Sequence, residues 1–225
     1  AIFSYYGTIL NNKNGGTIRF PECEAGLAGG YGNGGAIHFY YGALTINNSE
    51  NGSVLFESCK NSGRYNSYYG GGALYGTYDV TINNPSGGVV SFDDCRTVQS
   101  GMYGGAIRTE RNVILDNNAG DILFTDCSAG QGGAIAAGYN VSIKNNSGNV
   151  FFENTNAQSR GGAIYANYLS NGPFVIENTE TGAAHFINCS AANGGAIYLE
   201  VGKVTLAGGN VKGNLARNGN GGGVY

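Results

Sequence analysis

A Gly-Gly pair followed by Ala-Ile or Ala-Leu recurs six times, at Gly34-Gly35, Gly71-Gly72, Gly104-Gly105, Gly132-Gly133, Gly161-Gly162 and Gly194-Gly195. A weaker seventh copy closes the chain as Gly222-Gly223-Val224-Tyr225. The intervals run from 28 to 37 residues. A phrase repeated at that period marks a stack of like units, each too small to bury its own apolar face and relying on its neighbours to do so.

Each unit carries two further landmarks. The first is an alternating apolar pair, seen at Leu44/Ile46, Val80/Ile82, Val113/Leu115, Val141/Ile143, Phe174/Ile176 and Val204/Leu206, usually followed by Asn or Asp. The second is an alternating pair ending in Phe, at Ile18/Phe20, Val54/Phe56, Val90/Phe92, Ile122/Phe124, Val150/Phe152 and Ala184/Phe186. Period-2 alternation bounded by Asn, Gly and Ser reads as strand, and no run has helical spacing. The 41 glycines would fit disorder, but 41% of residues are apolar and 12% aromatic. That abundance of Val, Ile, Thr, Tyr and Phe favours strands. Three short strands per period, with like strands recurring, predict an all-β, right-handed parallel β-helix of about seven rungs, stacked at about 4.8 Å. A propeller blade needs four strands in about 40 to 45 residues, more than the shortest periods hold. Residues 1–225 read as one array that starts and stops abruptly, as expected of a piece of a longer solenoid.

Stacking assigns a job to each landmark. The Gly-Gly pair reads as a sharp corner, because glycine permits positive φ and close backbone approach. The following Ile37, Leu74, Ile107, Ile135, Ile164 and Ile197 form one interior column. Asparagines after the second strand bond along their own column. Cys23, Cys59, Cys95, Cys127 and Cys189 each end a Phe-x-x-Cys and form a thiol ladder. Neighbouring rungs lie within disulfide reach, but parallel side chains point the same way, which is poor geometry for a bridge. Buried free thiols acting as small hydrophobes are the preferred reading, ahead of disulfides and of metal binding. One repeat lacks the cysteine. It reads either as Phe151-x-x-Asn154 or, aligned by strand, as Phe152 with Thr155 opposite the cysteines.

Function classes narrow less. The net charge is −3 with no basic run, so nucleic acid is not expected, and no stretch of about 18 apolar residues could span a membrane as a helix. Carboxylates at Asp94, Asp126 and Glu153, taken one rung apart, are candidates for calcium or for glycosidic hydrolysis, against a hydrated turn as the plainer reading. His38 and His185 fall in different columns. Many of the 16 tyrosines flank the Gly-Gly-Ala strand. The turns before Gly34 and Gly71 are the longest, which makes Tyr31, Tyr65, Tyr68, Tyr69 and Tyr103 candidates for contacting a protein or glycan.

The pairing of Gly-Gly-Ala-[Ile/Leu] with Phe-x-x-Asn, here mostly Phe-x-x-Cys, resembles the repeat of the chlamydial polymorphic membrane proteins, from Phe20 to Tyr225. Those are autotransporter adhesins, and the resemblance implies a secreted or cell-surface β-helical passenger. It implies adhesion to a host or neighbour-cell protein or glycan, with no catalytic residues and no cofactor. The chain departs from the family in having cysteine at five of the six Phe-x-x positions, with asparagine only at Asn154. Two other readings stand beside it. One is a polysaccharide lyase or hydrolase on a pectin-lyase-like β-helix. The other is a structural filament whose rods self-associate end to end, since bare terminal rungs expose sheet edges.

Overall fold

The computed structural model describes residues 1–26, 32–63, 70–167 and 174–225, which form a parallel β-solenoid with no helix among them. Four parallel sheets of seven strands each run along the axis. One rung consists of Leu74–Gly76, Val80–Asn84, Val89–Asp93 and Arg96–Thr97. The first three strands are those the alternation predicts. The fourth follows each cysteine position and is commonly two residues long, as at Lys60–Asn61 and Ser190–Ala191, too short for alternation to show. Neighbouring rungs keep register in the first three sheets, with Val80 opposite Val113, Asn84 opposite Asn117 and Phe92 opposite Phe124, while the fourth shifts between Ala129 and Gln131.

An additional rung precedes the first Gly-Gly-Ala. Ile2–Ser4 and Thr8–Asn11 pair with Ile37–Phe39 and Leu44–Asn47. Its marks in the sequence are Ala1-Ile2, a counterpart of Ala36-Ile37, and Thr8-Ile-Leu-Asn-Asn12, a counterpart of Leu44-Thr-Ile-Asn-Asn48. At the other end, Ile197 pairs with Val224 and Gly221 has φ +68°. The seventh copy is therefore Gly221-Gly222-Gly223-Val224, one residue earlier than the sequence reading places it.

Like side chains stack on like. Phe20, Phe56, Phe92, Phe124, Phe152 and Phe186 form a pile with centroids 4.7 to 4.9 Å apart and planes within 4°. Strand spacing sets that interval, and it lies in the range where aromatic rings attract. The Ile37 column has no solvent exposure. On the opposite corner, amides of Asn12, Asn48, Asn84, Asn117, Asn145 and Asn178 bond Nδ2 to Oδ1 along the axis at 2.8 to 3.3 Å. Most of these amides also donate to the carbonyl closing their own turn, as Asn84 does to Gly88. The turn is thereby satisfied without water.

The two glycines of each corner do different work. Gly104 takes φ +64°, a left-handed conformation costly for residues with a Cβ. A Cβ on Gly105 would lie 2.0 Å from the carbonyl oxygen of Gly133 on the next rung, and the same clash repeats along the stack.

The cysteines are free, and four are fully buried. Cys59, Cys95, Cys127 and Cys189 donate to the carbonyls of Phe20, Phe56, Phe92 and Phe152, each one rung back, at 3.2 to 3.6 Å. The exceptional repeat is settled by pairing of Phe152 with Phe124 and Phe186. Thr155 holds the cysteine place and Asn154 the place before it. The residue before the ladder is always left-handed: Glu22, Ser58, Asp94, Asp126, Asn154 and Asn188 have φ between 46° and 54°. Asn and Asp tolerate that region better than other residues bearing a Cβ. Backbone shape alone thus explains much of the acid and amide content at this corner.

Candidate functional site

The first sheet turns its isoleucines inward, so the next residue of each strand faces out. That outer column reads Phe3, His38, Tyr75, Arg108, Ala136, Tyr165, Tyr198 and Tyr225. Rings contact along much of it: Phe3 meets His38 edge-on at 5.0 Å, and Tyr198 stacks on Tyr225 at 4.9 Å. Ala136 leaves a gap, and Tyr103 packs into it, 5.7 Å from Tyr165 and 4.9 Å beneath the Arg108 guanidinium. Of the tyrosines singled out before the corners, Tyr103 is thus a partly buried packing residue. Tyr31, Tyr65, Tyr68 and Tyr69 lie outside the described residues.

A second aromatic column stands where the chain leaves this sheet. Tyr6, Tyr41, Tyr78, Arg111 and Tyr139 each follow the interior residue of their strand by four positions. Tyr6 is 73% exposed, Tyr41 45% and Tyr78 36%. Tyr5 and Tyr40 flank the first two, and the four rings contact one another at 4.7 to 5.9 Å. The Arg111 guanidinium lies over the ring of Tyr78 at 4.9 Å and that of Tyr139 at 5.6 Å. Tyr40, Tyr41, Tyr78, Tyr139, Arg108, Glu110 and Arg111 line an open groove of about 540 Å³.

The groove's polar groups are unevenly committed. Glu110 accepts a hydrogen bond from the Tyr75 hydroxyl at 3.0 Å. Arg108 donates from Nη1 to the Thr109 carbonyl at 2.8 Å, while its buried Nε has no partner. Burial lowers the Arg108 pKa, a sign of incomplete solvation of its charge. The described ion pairs are Arg19–Glu57, Lys60–Glu24, Arg96–Asp94 and Arg160–Glu200, so Arg111 has no carboxylate among the described residues.

The acidic corner differs from its expected form. Asp94 and Asp126 do occupy adjacent rungs of one column, but Glu153 does not continue it. Glu153 pairs across from Thr125, in the column of Asp93, because Thr155 and not Asn154 takes the ladder place. Both oxygens of Asp94 accept from Arg96 at 2.7 Å, and Ser58 donates to one at 3.1 Å. Among the described residues no three of His, Cys, Asp or Glu come together as a metal site. Burial, then the nearby Asp126, Asp94 and Glu57, raise the Asp93 pKa.

The histidines stay apart, His38 on the first sheet and His185 stacked on Phe151 at 4.6 Å. The thiolate is disfavoured at Cys59 and Cys189. The adjacent Cys95 thiol and burial push Cys59 up, and burial pushes Cys189 to about 11.

Sequence reasoning noted the tyrosines after the Gly-Gly-Ala strand but missed that Arg111 shares their column. The constant four-residue offset from the interior residue is the signal that would have found it. Comparison with protein-family models, curated proteins and solved structures returns no match to this chain.

Proposed function

We propose that this chain is a non-enzymatic adhesin or stalk segment, acting outside the cell or at its surface. Its rigid solenoid presents a tyrosine-rich face to a protein or glycan of a host or neighbouring cell. The observation that carries the reading is the column of exposed Tyr6, Tyr41, Tyr78 and Arg111 with half-buried Tyr139. Tyrosine combines a large flat contact area with a polar tip and few torsions to freeze, which suits recognition surfaces. The interior ladders hold the fold without help from this column, so its members are available for contact. The resemblance to polymorphic membrane protein repeats supports the same reading.

The groove favours binding over glycoside hydrolysis. That reaction ordinarily needs two carboxylates about 5 to 9.5 Å apart. Among the groove's lining residues the single carboxylate is Glu110, and it is engaged by Tyr75.

The test is adhesion of beads coated with the full chain to cultured cells, compared with a Tyr41→Ala/Tyr78→Ala/Tyr139→Ala variant of unchanged circular dichroism. Wild-type beads are expected to adhere and the variant beads to lose most of that adhesion. Equal adhesion of both, or none by wild type across a panel of cell types, would discard the proposal.

A further inference from the structure

Two cations line the same groove, and Arg111 has donors to spare. The Arg111 guanidinium rests between Tyr78 and Tyr139 and makes no hydrogen bond or ion pair among the described residues. Arg108 also lines the groove with its guanidinium over the Tyr103 ring; its unpaired Nε is closed off from solvent, so what it gives the groove is positive charge. Arg108 and Arg111 against Glu110 leave the groove locally positive in a chain of net charge −3. A guanidinium held flat by aromatic faces is oriented before a ligand arrives, and its fork of donors matches a carboxylate.

The rest of the groove specifies what carries that carboxylate. Tyr40, Tyr41, Tyr78 and Tyr139 offer flat ring faces whose negative quadrupole attracts polarised C–H groups, while their hydroxyls suit a polyol. An extended acidic peptide fits less well, because it needs free backbone groups to pair with. Here the backbone is already used between rungs: Tyr40 N–H donates to Ser4, Tyr41 to Tyr5, Gly138 to Thr109 and Tyr139 to Arg111, at 2.8 to 3.0 Å.

From these observations we infer that the groove binds a carboxylate-bearing sugar ring of an acidic glycan, with Arg111 and Arg108 receiving the carboxylate and the tyrosines stacking on the ring. This names the ligand class for the adhesive face proposed above and rests on that reading.

The chain contains no Trp, so its fluorescence comes from 16 Tyr, of which Tyr40, Tyr41, Tyr78 and Tyr139 line the groove. Oligogalacturonate, a hyaluronan oligosaccharide and sialyllactose are titrated into the full chain, followed by fluorescence and calorimetry. Each is paired with its carboxyl methyl ester. At least one acid is expected to bind, its ester about tenfold or more weaker, with the affinity falling as salt rises. Arg111→Gln is expected to lose about tenfold, Arg111→Lys to recover part of that loss, and the exposed Lys13→Gln to match wild type.

The inference is overturned if none of the three acids binds at millimolar concentration, if esters bind equally, or if Arg111→Gln binds as wild type. An acidic peptide binding through Arg111 while all three sugars fail also overturns it. If the sugars fail but adhesion still depends on Tyr41, Tyr78 and Tyr139, the ligand class falls and the adhesive face stands.

Discussion

Thr155 interrupts the thiol ladder between Cys127 and Cys189, and its replacement should stabilise the protein. Its side chain is fully buried between the rungs of Cys127 and Cys189, and its Oγ1 has no hydrogen-bond partner. The Cys189 sulfur one rung on offers at best a weak acceptor. A buried hydroxyl left unpaired costs about 1–3 kcal/mol. Thr155→Val keeps the β-branched shape and exchanges the hydroxyl for a methyl, so about 1–2 kcal/mol of that cost should be recovered. In a chain of this length, 1 kcal/mol moves Tm by about 2–4 °C. The expected result is a Tm rise of about 2–8 °C, measured by circular dichroism at fixed scan rate. Thr155→Cys should gain similarly by a different route, since its Sγ would lie where it can donate to the Phe124 carbonyl, as Cys127 does to Phe92. Coupling in a solenoid runs between nearest neighbours, so added amide-exchange protection should centre on the flanking rungs. A lowered Tm in Thr155→Val would show that the hydroxyl is bonded in the native state and would refute the reasoning.

Three other perturbations test the remaining ladders. Gly105→Ala places a Cβ 2.0 Å from the Gly133 carbonyl oxygen and 2.7 Å from the Ser128 nitrogen, and should cost more than about 4 kcal/mol, read as loss of soluble folded protein. Asn84→Ala removes donors to Gly88, Asn117 and Asp121, and should lower unfolding free energy in urea by about 2–5 kcal/mol; a loss under about 0.5 kcal/mol would deny the amide ladder its role. Burial depresses the pKa of His38 below its unfolded value of 6.5, and that of His185 likewise. The unfolded chain then takes up protons first on acidification, so their contribution is intact above about pH 7 and shrinks as pH falls through 6.5 toward the folded pKa. The Tm drop between pH 7 and pH 5 should be smaller in His38→Phe/His185→Phe, and an unchanged drop would assign it to other groups.

How much of this was legible depended on whether a feature repeats. The Ile37 column, the phenylalanine pile and the asparagine ladder were readable because stacking demands the same residue on every rung. The fourth sheet was not, since strands of two residues such as Arg96–Thr97 cannot display alternation. Register at Thr155 was ambiguous because Phe151 and Phe152 are adjacent and either could join the pile. Only pairing with the neighbouring phenylalanines decides between them. That one-residue choice also moved Glu153 out of line with Asp126, which shows how a register slip re-sorts a whole set of candidate ligands. The Arg111 groove was harder still, because it joins four rungs through residues that differ in kind.

The interior columns are uniform because each has a physical reason to be. Coplanar rings stack only on rings, an amide ladder is continuous only if each rung supplies donor and acceptor, and a Cβ at Gly105 or its counterparts meets a carbonyl. The surface column of Tyr6, Tyr41, Tyr78, Arg111 and Tyr139 has no such constraint. An arginine between two tyrosines contributes about 0.5–1 kcal/mol by cation–π attraction at an exposed site. A tyrosine in its place would contribute about 0.5–1.5 kcal/mol by ring contact. Stability therefore separates the two by at most about 1 kcal/mol, and Arg111→Tyr should leave Tm within about 4 °C of wild type. What the arginine adds is a positive charge and five donors at the centre of an aromatic groove. The fold has no need of those properties, and they are the ones the proposed ligand would meet.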